Sequence, residues 1–438
     1  MRVIGYLLLG LTLAAGLVIR LAEIDPETAV AVLAPLALAA FAILLATHFS
    51  LVPALVFATL PFANIVPLPK FVFVTPNIYS LALFTLFPVL CCRALFGKIP
   101  VRLYASFLFL LALVVFFILS AFSSGDPFEY GRLIFSALLV PFVGFCAAML
   151  AGTNPYTYTK TLTLFTWSAA AFGLCVLASA VMTGERASAL GYPYISAATI
   201  LFAAFLVAWY GKTLFSPAAR RALCIVTALA LLSTFPRVYL LLLLCSPFFM
   251  AVIHRNRTTA LFLAMHFASL AALFLLFDLA RNYGFTYAEL RKAQAVMSAF
   301  DRLTDFTYLL NSLMGRFHEY ELAVRDFVNN PLFGVGMVLG RHVVTPHNYH
   351  MELLQYGGIS GFTLYTGFLA SFFLGLRRSL AKDQTLAVNS FIVLAIIING
   401  LTNGLMHGLM PVVMQIFMGL SLGRALFLDR EAAGERGL

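Results

Sequence analysis

The sequence predicts an all-α polytopic membrane protein, and three observations carry that reading. Of 438 residues, 62% are hydrophobic and only 11% charged, where a soluble domain carries roughly 25% charged residues. Mean hydropathy is +0.96. Apolar runs near 20 residues long recur from end to end, and a helix of that length crosses about 30 Å of hydrocarbon. A membrane β-barrel would read instead as short alternating segments.

The runs fall at roughly 3–20, 28–47, 51–67, 77–95, 103–122, 133–152, 162–182, 193–211, 222–235, 238–253, 260–279, 351–376, 385–402 and 408–426. The third and ninth are short and read as partial or re-entrant, which gives 12–14 transmembrane helices. The first run follows Met1-Arg2 but has no small-residue cleavage site after it, so it reads as a helix rather than a removed signal.

Lys and Arg gather in cytoplasmic loops. The clusters here are Arg93, Lys98 and Arg102; Lys212, Arg220 and Arg221; Arg255 and Arg257; Arg377, Arg378 and Lys382; and Arg424 and Arg430. They put both termini in the cytoplasm and segments 124–132, 183–192, 236–237 and 281–346 on the opposite face. The net charge of +10 therefore mostly reports topology, and no nucleic-acid partner is expected. The chain divides into an N-terminal helix bundle (1–280), an outer loop (281–350), and C-terminal transmembrane helices with a short cytoplasmic tail (351–438).

The long loop reads as helical. Thr286-Tyr287-Ala288-Glu289 fits a capping box. From Phe306 to Val328 the apolar residues recur at helical spacing, with Arg316, Glu319 and Asp326 on the polar side. Asn330-Pro331 stops that helix, and Gly334 and Gly336 permit a tight turn toward Thr345-Pro346. Thr345 is expected to cap the next helix with Pro346 at its first position, which puts His347 in the first turn. There the positive end of the helix disfavours an imidazolium, so the ring can accept a proton, and the same end attracts phosphate. The blander reading is an interfacial histidine that only hydrogen-bonds.

Arg132, Arg186 and Arg237 each stand nearly alone at an external helix end, and Arg316 and Arg341 lie in the long loop. A guanidinium there either meets lipid headgroups or joins others around an anion, where its planar fork suits phosphate oxygens. Other chemistry is poorly supported. His342, His347 and His350 lack a carboxylate cluster, so no metal site is expected. Gly334-Val335-Gly336 has no βαβ unit around it. Glu23 and Asp25 read as loop charges. The six cysteines lie in or beside apolar runs, none in the long loop, and read as small packed hydrophobes without disulfides. Glu352 either tunes the site or is solvated. Charges are essentially missing from mid-run positions, where transporters usually carry them.

Pro331-Leu332-Phe333-Gly334-Val335-Gly336, then His347-Asn348-Tyr349, then Gly358 and Gly361 resemble the core motif of the O-antigen ligase and O-antigen polymerase superfamily. That motif is Pro-x-x-Gly-x-Gly, His-Asn, and Gly-x-x-Gly in the next helix. Gly315-Arg316 resembles the family's Gly-Arg, and Arg237 its Ser-Arg element with Pro236 in place of serine. Arg186 before Gly191-Tyr192-Pro193 resembles the arginine ahead of a Pro-Asn element, with Tyr194 replacing asparagine. The resemblance spans roughly 180–365. It implies a GT-C-type glycosyltransferase in the bacterial inner membrane that acts on the periplasmic face and needs no cofactor. His347 would deprotonate or orient the acceptor hydroxyl. Arg186, Arg237 and Arg316 would bind the diphosphate, supported by Asn348, Gly334, Gly336, Arg132 and Arg341. The expected donor is an undecaprenyl-diphosphate-linked glycan and the expected acceptor lipid A–core oligosaccharide, in contact with membrane lipids. Polymerase and protein O-oligosaccharyltransferase relatives use the same donor. A lipid-linked oligosaccharide transporter is the reading from a different class.

Overall fold

The computed structural model describes residues 43, 49–63, 77–95, 104–122, 134–183, 193–234, 237–254, 319–336, 346, 348–401, 403 and 409–432. Among the described residues there are helices and no strands. In chain order they are α1 (Val52–Ala58), α2 (Ile78–Leu95), α3 (Tyr104–Phe122), α4 (Val140–Gly152), α5 (Pro155–Thr183), α6 (Tyr194–Tyr210), α7 (Pro217–Thr234) and α8 (Arg237–His254). Then come α9 (319–329), α10 (Tyr349–Leu376), α11 (Gln384–Asn399) and α12 (Met410–Ala432). Five segments are long and apolar enough to cross a membrane: α4 together with the π-helical turn Phe135–Leu139 before it, α5, α7, α10 and α12.

The first and eleventh expected runs, and nearly all of the second, lie outside the described residues, as does the expected capping box at Thr286. The third run is a broken segment: α1 ends at Ala58 with Thr59 as its C-cap, and a 3-10 turn, Leu60–Phe62, follows with Pro61 inside it. Proline has no N–H to continue a helical ladder. The ninth run is not short. α7 starts at Pro217 and has 18 residues; Arg220 and Arg221, read as loop, occupy its first turns. The basic turn conceals the true start of an apolar helix.

The close contact between α4 and α12 follows from small residues at four-residue spacing. Gly144, Ala148 and Gly152 stand on α4, and Gly419 and Gly423 on α12. A Cβ on Gly419 would collide with the Phe145 carbonyl oxygen, and one on Gly423 with that of Met149. Such backbone approach is the usual device of helix pairs that lack a hydrophobic drive between them. α6 is apolar all round, and residues 196–208 are buried throughout, as a helix without a polar face requires. Its neighbours are α5, α7, α8, α11 and α12.

At one end of the bundle a directed polar chain ties α5, α11 and α12. Asn389 Nδ2 donates to Tyr158 Oη (3.0 Å). Tyr158 Oη lies 2.8 Å from Thr385 Oγ1, which donates to Asp383 Oδ1 (2.6 Å). The tyrosine is thus the donor to the threonine. Arg424 Nε donates to Asp383 Oδ2 (2.8 Å), and its guanidinium lies over the rings of Tyr158 and Phe427. Asp383 also caps α11, accepting from Thr385 N (2.9 Å).

Burial alone would raise the Asp383 carboxyl; hydrogen bonds from Thr385 and Arg424 outweigh it and hold the group below the usual carboxylate range. A lowered carboxyl pKa stabilises the fold above that range, and the benefit is lost as pH falls through it. Asp383→Asn should therefore lower stability by about 2 kcal/mol at pH 7, and the deficit should shrink below about pH 4. Thermal unfolding in detergent at several pH values checks this; a pH-independent deficit excludes the charge as its source.

Candidate functional site

The candidate site is built around the start of α10. Asn348 is its cap, with extended backbone (φ −154, ψ 112) and a side chain that accepts from the amides of His350 (3.0 Å) and Met351 (3.2 Å). This corrects the expected cap at Thr345. Asparagine is among the best N-cap residues because its short side chain reaches the free amides of the first turn, and it outcompetes a Thr-Pro start. Tyr349 is the first helical residue, so residue 347 precedes the cap in the chain rather than standing in the first turn. His347 itself, like Arg132, Arg186, Arg316 and Arg341, lies outside the described residues.

The glycines of the motif are explained by two backbones in contact. α9 ends at Asn330-Pro331 as the sequence predicts. Gly334 (φ 68) and Gly336 (φ 78) then adopt left-handed conformations, which glycine reaches at little steric cost. α10 carries one non-helical residue, Gly358 (φ 58, ψ −159), at a kink. The loop supplies partners to backbone groups on both sides of that kink. The amides of Val335 and Gly336 donate to the carbonyls of Gln355 (2.8 Å) and Tyr356 (3.0 Å). The amides of Ile359 and Ser360 donate to those of Pro331 (2.8 Å) and Leu332 (3.1 Å). A Cβ on Gly334 would lie 2.5 Å from the Tyr356 carbonyl oxygen, and one on Gly358 would lie 2.6 Å from the Leu332 carbonyl carbon. Gln355, fully buried, adds a side-chain link by donating to Asp326 Oδ2 of α9 (2.7 Å).

Several helix ends meet beside Asn348. Tyr349 N donates to the Gly400 carbonyl (2.7 Å), joining the start of α10 to the end of α11. Asn399 Nδ2 donates to the Met410 sulfur (3.3 Å) at the start of α12. The Tyr239 hydroxyl, two residues into α8, faces the same sulfur at 4.0 Å and lies 2.8 Å from Thr199 Oγ1 near the start of α6. Leu409 N donates to Ser196 Oγ (3.4 Å). The N-terminal ends of α6, α8, α10 and α12 are thus gathered at one end, and each carries a partial positive charge that favours an anion. Arg237 is the first residue of α8, so its backbone stands at the same end as Asn348.

Glu352 is buried, at 1% exposure, in the first turn of α10, so the solvated reading fails. Tyr349 and Tyr365 are buried beside it, edge to face at 5.0 Å between centroids. The sequence reading missed this pair, together with Tyr239, Asn399 and Gln355, because aromatic and amide residues inside apolar runs look like ordinary packing. The usable signal was Gln355 and Asn399, whose amides need partners when buried.

Gly334→Ala and Gly358→Ala should each undock the loop, whereas Asn348→Ala should cost about 1 kcal/mol through the lost cap, and Asn348→Asp should retain most of that. Limited proteolysis between α9 and α10 reads the docking: cleavage should rise severalfold in both glycine variants. Unchanged cleavage would mean that the backbone pairing does not hold the loop.

No family model matches this chain, and no curated protein matches it.

Proposed function

We propose that this chain is an inner-membrane glycosyltransferase of the O-antigen ligase type, built on a GT-C-like helical scaffold. It transfers O-antigen polysaccharide from undecaprenyl diphosphate to lipid A–core oligosaccharide at the periplasmic face, with inversion and without a metal ion. The observation that supports the reading is that the Asn348-capped start of α10 and the start of α8 at Arg237 share one end of the bundle, while the Pro331–Gly336 loop docks farther along the same α10, at Gln355–Ser360. These elements come from separate parts of the chain, and they are the ones that bear the motif's His-Asn, Arg and Gly-x-Gly.

In the proposed reaction the acceptor hydroxyl attacks the anomeric carbon of the donor sugar. His347 takes the hydroxyl proton as the new bond forms. The bond from that carbon to the diphosphate oxygen breaks, and undecaprenyl diphosphate leaves with the electron pair. Arg186, Arg237 and Arg316 hold the charge that grows on the leaving group, a role for which a guanidinium fork is suited. The four helix starts add to the same positive field. The outer end is favoured because Arg220 and Arg221 at the start of α7 and Arg377, Arg378 and Lys382 after α10 mark the opposite end as cytoplasmic; on this reading both termini are cytoplasmic too. A lipid-bound donor and a membrane-anchored acceptor call for chemistry at that boundary.

The test is reconstitution of purified protein with lipid-linked glycan and alternative acceptors: lipid A–core, a second lipid-linked repeat, or a Ser/Thr peptide. Transfer to lipid A–core is expected. His347→Ala should lower it at least 100-fold, within the usual range for loss of a general base. Arg237→Lys should recover only part of what Arg237→Ala loses, and EDTA should leave the rate unchanged. Near wild-type transfer by His347→Ala sinks the catalytic assignment; preference for another acceptor sinks the ligase reading.

A further inference from the structure

The segment that carries the motif loop exposes apolar side chains where a water-facing loop would not. Val324 and Val328 lie one helical turn apart on α9 and are 46% and 64% exposed, and Leu332 and Phe333 beyond its end are 60% and 64% exposed. These four exposed side chains, called the row below, fall within ten residues of the chain. Its depth is fixed by contacts. The Phe333 ring stacks on Phe116 of α3 (6.3 Å between centroids, 25° between planes). α3 reads YASFLFLLALVVFFILSAF, without a charge, and Phe116 stands six residues before its end, which is about 9 Å at 1.5 Å per residue. Phe333 is therefore level with the interior of an apolar helix, not with its rim. Both neighbouring helices carry exposed apolar side chains near these contacts: Val115 and Leu119 flank Phe116 in α3, and Ile359 of the membrane-length helix α10 bonds through its amide to the Pro331 carbonyl.

We infer that residues 324–333 are an interfacial membrane anchor whose apolar row, Val324, Val328, Leu332 and Phe333, inserts into the acyl chains of the leaflet at the Asn348 end. Glu321 and Arg325, exposed on α9, stay in the headgroup layer, as polar residues of a helix lying in the membrane plane do. The occupant is lipid rather than a protein partner because Phe333 stacks within the span of an uncharged apolar helix and the Pro331 carbonyl is bonded to Ile359 of a membrane-length one. The anchor sets the height of the Gly334–Gly336 loop against the bilayer.

The test uses the full chain in lipid nanodiscs. Its two tryptophans, Trp167 and Trp209, are replaced by Phe, and a single Trp is placed by Val328→Trp, Phe333→Trp or Glu321→Trp. Fluorescence is compared in discs of ordinary and acyl-chain-brominated phosphatidylcholine, and with acrylamide added to the water. At 328 and 333, brominated lipid should lower the emission at least twofold and acrylamide should quench weakly; at 321 the order should reverse. Quenching of 328 and 333 by acrylamide to the level of 321 would overturn the anchor. So would shielding from both quenchers, which would mean that protein covers the row. If the tryptophan-free background fails to fold, the same comparison is made with the native tryptophans kept and their signal subtracted. The readout is independent of glycan transfer.

Discussion

The geometry of the Asn348 end depends on one constraint, the interruption of α10 at Gly358 and its capture by the Pro331–Gly336 loop. α10 has 28 residues and α11 has 16, or about 42 Å and 24 Å of helix at 1.5 Å per residue. Yet the two are joined through Tyr349 and Gly400 at one end and by the short 377–383 connection at the other. The portion after the kink, Ile359 to Leu376, is about 27 Å long on the same basis, close to α11. The four loop hydrogen bonds satisfy backbone groups that a break inside an apolar protein would otherwise leave bare.

The two ends of the bundle solve the burial of polar groups differently. At the Asp383 end a carboxylate and a guanidinium are paired and hydrogen-bonded, with a tyrosine, a threonine and an asparagine in series. At the Asn348 end the polar groups knitting α6, α8, α11 and α12 together are uncharged: Thr199, Tyr239, Asn399 and the Met410 sulfur. Among the described residues at that end the one buried acid is Glu352 in the first turn of α10; the links between the other helix starts are neutral and leave the field of those starts in place.

Much of this was legible in sequence, and for specific reasons. Length and hydropathy gave the helices, since a 20-residue apolar run has few other fates. Pro331 and the left-handed glycines 334 and 336 announced a stop and a turn, because few residue types tolerate those conformations. Less legible was what the glycines serve. Gly334 and Gly358 are 24 positions apart, and only their contact explains both. The cap lies three residues after the one that Thr345-Pro346 suggests: both Thr345 and Asn348 can cap, and the proline signal masks asparagine's stronger preference. α7 was read short because Arg220 and Arg221 resemble loop residues until their helix is seen to continue past the apolar stretch. Glu352 was undecidable from spacing, since burial of an acid depends on neighbours far along the chain.

The enclosure of α6 has a bearing on how the chain is made. Its sheath includes α11 and α12, which leave the ribosome some 170 residues or more after α6 itself. During that interval part of its surface has only lipid for company. A helix without a charged residue is at home in either setting, so α6 can stay in the bilayer until they arrive. The last two helices then assemble by expelling lipid from around a segment already in place, and maturation becomes an exchange of one greasy solvent shell for another.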